Sequence, residues 1–238
     1  MQKSIADLIT SVTKVYNLPT PATVITSQDA NVQQLLAFAR EVNADLLAEF
    51  GWETLQTEYS FTTVDGQDEY EFPADIDRWI NGTFFDQTNR WEMLGPLSPR
   101  NWEWLKVWNV AGTPFQRFRV FGGKIHLYPT PGPTPITFVC EYISNSAVLD
   151  GSTGLPKADY TQDSDVCRFD SRVVVYGIKL KWAIAKGLDT TAALTDYRRA
   201  LEQAKGSDAP APRLSLLRGC GNGWMISNAN IPDGNWGQ

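Results

Sequence analysis

Nucleophilic and general-base catalysis most often recruits histidine, and this sequence has one, His126. A Ser-His-Asp or Cys-His site would have to use it. In Lys124-Ile125-His126-Leu127-Tyr128 it alternates with two apolar residues, which predicts a histidine on the solvent side of a strand. A single histidine excludes an H-E-x-x-H zinc site, and there is no G-x-x-x-x-G-K-[ST] loop. Arg218-Gly219-Cys220-Gly221-Asn222-Gly223 spaces its glycines by two, but no strand–helix frame surrounds it, so it does not predict a phosphate cradle. Cys140, Cys167 and Cys220 are odd in number, far apart and without C-x-x-C spacing, which argues against a disulfide framework or a zinc site.

Three groups remain. Asp65, Asp68, Glu69, Glu71, Asp75 and Asp77 could supply a carboxylate pair for hydrolysis, but they fall in and beside a turn, where acidic residues are commonly solvated. Trp91, Trp102, Trp104 and Trp108 crowd a short span. Trp102 and Trp104 are two apart, so on a helix they cannot share a face, and at least one must sit at an interface or on the rim of the core. Arg117 and Arg119 alternate on a strand before Gly122, with Lys124 after the turn. They suit an acidic neighbouring subunit better than phosphate. The sequence therefore predicts no catalytic residue, no cofactor and no metal. A carbohydrate- or receptor-binding tail module using the Trp91–Trp108 aromatics is the alternative from another class, and an acidic hydrolase is a distant third.

The elements that hold these groups follow from proline placement and periodicity. Nine of the 14 prolines lie between Phe72 and Pro156, and none between Ala22 and Phe72 or between Lys157 and Ala209. Proline is costly inside helices and central strands. Long helices therefore fit the two ends, and short pieces fit the middle. Ile5, Leu8, Ile9, Val12 and Tyr16 predict a first helix, opened by a Ser4–Asp7 capping box. Leu35, Ala39, Val42, Leu46 and Phe50 predict a second, capped at Ser27 or Asp29 and ending at Gly51. Leu55, Thr57, Tyr59, Phe61 and Thr63 alternate as a strand. Asp65-Gly66 predicts a hairpin turn with Tyr70 and Phe72 on the returning strand. A second hairpin turns at Gly122-Gly123, and Ile136, Phe138, Cys140 and Tyr142 mark a further strand. Ser98-Pro99 predicts a short helix. Phe169, Val173, Tyr176, Leu180 and Ile184 predict one face of a long helix stopped by Gly187; Thr190 or Thr191 caps the last, with Leu194, Tyr197, Leu201 and Ala204 inward.

The fold class expected is α+β: a helical bundle formed by the N- and C-terminal helices (1–53 and 157–205), with an inserted antiparallel β-sandwich or small barrel (54–156). From Gly206 the periodicity stops, yet Leu216, Leu217, Trp224, Met225, Ile226, Ile231 and Trp236 persist in a stretch rich in Gly, Pro and Asn. A solvated linker has no use for such residues, so 206–238 reads as an extended docking tail. The 238 residues need no staples to fold. Usage is 42% hydrophobic and 20% charged, which excludes a wholly disordered chain. The net charge of −6 argues against a phosphate-neutralising nucleic-acid binder. Met1–Asp7 has no apolar leader core, and Lys179 and Lys181 interrupt the most apolar stretch, so the expectation is a soluble product of the cytoplasm.

The order of these features resembles a known family. Paired helices lead to Phe50-Gly51-Trp52; Gly66, Tyr70, Phe72-Pro73, Asp75 and Arg78 follow, similar to the family's G…Y.LP.D..R; Gly123-Lys124-Ile125-His126-Leu127-Tyr128-Pro129-Thr130-Pro131 is similar to its G.I.L.P.P strand. Tyr142 closes a sheet strand, and the helical return runs through Gly187 and Tyr197. Over roughly residues 3 to 205 this looks like the head-to-tail adaptor proteins of short-tailed bacteriophages, the tail tubular protein A group and its tail accessory relatives. The resemblance implies a structural virion protein at the head–tail junction, assembled in the host cytoplasm. It implies a homo-oligomeric ring of twelve copies between the portal protein and the tail nozzle or tube. DNA would pass through it without sequence-specific binding, and no membrane is involved. No family catalytic residues carry over. The docking tail would reach the portal or the next subunit, and Trp102, Trp104, Arg117 and Arg119 would face a subunit or the nozzle.

Overall fold

The computed structural model describes residues 3–108 and 116–208. Two helices come first, α1 (Ile5–Val15) and α2 (Ala30–Glu49). Five strands follow: β1 (Gln56–Thr62), β2 (Glu69–Glu71), β3 (Ile76–Trp79), β4 (Phe85–Asp86) and β5 (Trp91–Glu92). Then come α3 (Pro99–Trp108), β6 (Arg117–Phe121), β7 (Lys124–Tyr128) and β8 (Thr137–Ser144). Three short strands, β9 (Val148–Leu149), β10 (Pro156–Lys157) and β11 (Val166–Cys167), precede α4 (Ser171–Ala185) and α5 (Thr191–Asp208). The fold is α+β.

The helices form where periodicity and caps agree. Ser4 Oγ accepts from the Asp7 backbone N–H at 3.2 Å and donates to its carboxylate at 2.8 Å, opening α1. Ile5, Leu8, Ile9 and Val12 are fully buried on its inner face. Asp29, rather than Ser27, caps α2 by accepting from Asn31 N–H at 2.8 Å. Leu35, Ala39, Val42 and Leu46 point inward from α2. α4 departs from expectation. Its buried residues are Val173, Val174, Gly177, Ile178, Trp182 and Ala183, while Ile184 is exposed and Leu180 half-buried. A helix packed against α1, α2 and α5 has no single inner stripe. Asp189, accepting from Thr191 N–H at 3.0 Å, supplies the side-chain bond that the flanking threonines were expected to make. α5 runs on to Asp208, past the expected end of periodicity, and the Asp208 carboxylate accepts from Glu53 N–H at 2.7 Å.

β8 organises the larger sheet. Along one edge it pairs with β1 from Gln56↔Ile143 to Thr62↔Thr137; along the other it takes β3 and β4, with β5 beyond β4. A three-stranded sheet in the order β2-β7-β6 faces it. Phe61 meets Tyr70 at 4.9 Å between ring centres and Phe84 meets Phe118 at 4.1 Å, so the aromatic rings of the two sheets interlock as in a sandwich. The sheets do not close into a barrel. The expected hairpin across Asp65-Gly66 is not formed: the turn is there, but β1 pairs with β8 and β2 with β7. The chain crosses from one sheet to the other at this point, where Tyr70 Oη accepts from Val64 N–H at 2.9 Å. The Gly122-Gly123 hairpin is formed. Both glycines have positive φ, 61° and 75°, as a two-residue turn of matching twist requires.

Buried side chains gather in two clusters. One is lined by the helices together with Trp52, Leu55, Ile143, Ala147, Val148 and Phe169; the other lies between the two sheets. β8 contributes to both, with Phe138 and Cys140 between the sheets and Ile143 among the helices.

Candidate interaction surface

The β2-β7-β6 sheet has an inner face of Tyr70, Phe118, Ile125 and Leu127 and an outer face set by the alternation of its strands. Register fixes the outer rows. Glu69 lies opposite His126, which lies opposite Arg119; Glu71 lies opposite Lys124, which lies opposite Phe121; Tyr128 lies opposite Arg117. One edge of the sheet is therefore acidic and the other basic. Glu69-Tyr70-Glu71 and Arg117-Phe118-Arg119 show the same charged–aromatic–charged pattern in sequence, but only the shared partner β7 reveals that they are two edges of one sheet.

His126 is on this outer face as expected but is not open to solvent; it is 8% exposed. The Phe121 ring covers it in a near-parallel stack, 3.7 Å between centres and 10° between planes. The Arg119 guanidinium carbon lies 4.6 Å from the centre of the same Phe121 ring. An imidazole stacked so closely occupies one ring face, which leaves the other for the guanidinium. Lys124 Nζ donates to Glu69 at 3.1 Å. That bond, and the ammonium charge, hold the Glu69 carboxyl below its ordinary range. Beyond Glu69 opens a groove of about 710 Å³ lined by Tyr59, Gly66, Gln67, Asp68 and Glu71.

α3 lies over the Tyr128 end of the sheet. Ser98 Oγ accepts from Asn101 N–H at 3.3 Å, and the short helix expected there runs for 10 residues. Its spacing divides the tryptophans as predicted. Trp102 is 2% exposed and meets Tyr128 edge-on at 6.3 Å, with Leu105 buried beside it. Trp104 and Trp108, four residues apart, are 54% and 68% exposed, with Val107 between them more exposed still. Trp102 Nε1 and Gln116 Oε1 are the two buried side-chain polar atoms without a hydrogen bond among the described residues.

The remaining candidates do not converge on catalytic chemistry. Asp65, Asp68 and Glu71 are exposed, as expected of solvated residues, whereas Asp75 is structural: it accepts from Tyr142 Oη at 3.0 Å and Ser144 Oγ at 2.7 Å. Burial pushes the Cys140 thiol up to about 12 and Cys167 up to about 11, so both stay protonated near neutrality. Among the described residues no cluster of His, Cys, Asp and Glu could hold a metal ion, and no helix is long and apolar enough to cross a membrane. Leu216, Leu217, Cys220, Trp224, Met225, Ile226, Ile231 and Trp236 lie outside the described residues.

The sequence from 3 to 215 matches the family model described as SU10 adaptor protein. No match was found among curated proteins. The match covers both helical ends and everything between them, so the chain belongs to the SU10 adaptor protein family, a family of bacteriophage structural proteins.

Proposed function

We propose that this chain is the repeating subunit of a head-to-tail adaptor ring, joining the portal to the tail nozzle or tube and enclosing part of the DNA channel. The observation that carries this reading is the family match across residues 3–215. Ring, portal and channel are mutually consistent with the residues. A net charge of −6 per chain, repeated around a ring, lets DNA slide without gripping phosphate. Exposed Trp104 and Trp108 and the two charged edges supply the aromatic and arginine content typical of subunit contacts. The helical parts 1–53 and 157–205 form one domain in this reading, and 54–156 the inserted one. Twelve copies are proposed, with 209–238 reaching the portal through Leu216, Leu217, Trp224, Met225, Ile226, Ile231 and Trp236. A sugar-binding platform has less support, because Trp102 is turned into the core and two exposed rings remain on α3.

The test is mass in solution, alone and mixed with the portal protein of the same genome. A monomer or small oligomer that joins the portal in about twelve copies is the expected outcome. A chain that ignores the portal overturns the reading. Deleting 209–238 leaves the Asp208 cap in place, so the expected result is unchanged thermal unfolding with weakened portal binding.

A further inference from the structure

We propose that the basic edge of the β2-β7-β6 sheet, with the outer face of α3, docks on the acidic edge of the same sheet in a second copy of this chain. The inference rests on the adaptor reading and names the contact that would build the ring.

Closed rings are built from heterologous contacts, in which two different patches of the same chain meet. This sheet carries two such patches. On one side stand Arg117 and Arg119, half-buried on β6, with Phe121 exposed on the same strand; residues 94–97 bond along its edge and lead into α3, which carries the exposed Trp104 and Trp108. On the other stand Asp68, Glu69 and Glu71 around an open groove of about 710 Å³, with exposed Asp65 at the turn. Glu69 is partly neutralised by Lys124, but Asp68, Glu71 and Arg119 take part in no ion pair among the described residues. Their columns are two strand spacings apart, about 10 Å. They stand on the two flanking strands of the sheet and form no pair with each other within one molecule. Placed side by side in the same orientation, successive copies bring the basic edge of one to the acidic edge of the next. Two copies joined edge to edge by a twofold axis would instead set like charges together, which costs association. Along the edges, the polarity thus favours head-to-tail closure over a symmetric pairing. The aromatic rings supply the area that charge alone does not, as buried aromatic and arginine side chains do at protein interfaces.

Charge reversal tests this pairing. One variant carries Arg117→Glu and Arg119→Glu, the other Asp68→Lys and Glu71→Lys; Glu69 is left intact because it serves Lys124 and His126. Each is mixed with the portal and the number of bound copies is counted by mass, with circular dichroism verifying the fold. Wild type is expected to fill the ring, and each reversal alone to lower assembly by about tenfold or more. A chain bearing both reversals, and an equimolar mixture of the two variants, are expected to regain assembly, because opposite charges again meet at every contact. Recovery also excludes misfolding as the cause of the loss. Reversals that fill the ring like wild type overturn the contact while leaving the adaptor reading intact, and so does loss without recovery in both rescue arms. A wild-type chain that never joins the portal overturns the adaptor reading, and the contact falls with it.

Discussion

Lys157 illustrates how a buried carboxylate is kept charged in this chain. Its ammonium lies 2.8 Å from Asp165 and 2.9 Å from Asp150, and the Asp165 side chain is fully enclosed. Burial opposes the Asp165 charge, but Lys157 and the backbone N–H groups of Thr161, Gln162 and Gly151 outweigh it and hold the carboxyl below its usual range. Asp150 is lowered too, by bonds from Ser152 and Lys157. A carboxyl lowered on folding stabilises above its unfolded value, near 4, and loses that stabilisation as pH falls through the lower folded value. Lys157 is raised on folding, so its share is present below about 10.4 and lost as pH rises through the folded value. Asp165→Ala is expected to cost about 3 kcal/mol at pH 7, because it strands the N–H donors of Thr161, Gln162 and Gly151 and removes one of the two carboxylates that hold the Lys157 ammonium. Urea unfolding at pH 7 and pH 3 checks it: the gap between variant and wild type should narrow in acid. At this scale the sequence was informative where spacing alone decides. The two-residue offset between Trp102 and Trp104 forces them to opposite sides of α3. The cover over His126 was not legible, because it comes from Phe121 across a hairpin and from no property of the histidine's own strand.

Among the elements, α2 and α4 cross closely at Gly177. A Cβ added at Gly177 would stand 2.8 and 2.9 Å from the two Val42 methyls. Gly177→Ala gains about 1 kcal/mol of helix propensity and incurs overpacking of about 1–3 kcal/mol, so a net loss near 1 kcal/mol is expected. Combining it with Val42→Ala should cost less than the sum of the two single changes, and a double-mutant cycle by chemical denaturation measures the difference. The helices were the readable part of the fold. α1 and α2 each bury one stripe, and Ser4 and Asp29 cap them locally, so neighbours in sequence carry the signal. The inner face of α4 was misread because helices cover it from several sides. The β1–β2 hairpin was misread because a good turn sequence at Asp65-Gly66 sits between strands whose partners, β8 and β7, lie much later in the chain. Turn chemistry is local, and sheet pairing is not.

For the whole molecule, the exposed face of α3 separates folding from assembly. Trp104→Ala and Trp108→Ala together remove rings that touch mainly solvent, so thermal unfolding should move by less than about 2 °C, consistent with the small effect of exposed substitutions. Assembly on the portal should fall by about tenfold or more, because aromatic anchors dominate interface energies. Light scattering of the mixture reads this directly, and assembly at wild-type level would remove α3 from the interface.

The strand β8 has a mechanical consequence. The chain leaves the helices through β1 and returns to them through β8, and these two crossings are zipped together over seven residue pairs, Gln56↔Ile143 to Thr62↔Thr137. The link is thus a ribbon rather than two loose tethers. A pull along the ribbon is carried by two backbones at once, and the rungs keep them side by side so that they share the tension. A sideways pull bends a stiff lever whose root, Ile143, Ala147 and Val148, is clamped among the helices. Stress applied to the β-sheets should therefore reach the helices nearly undiminished, as through a spoke set into a hub.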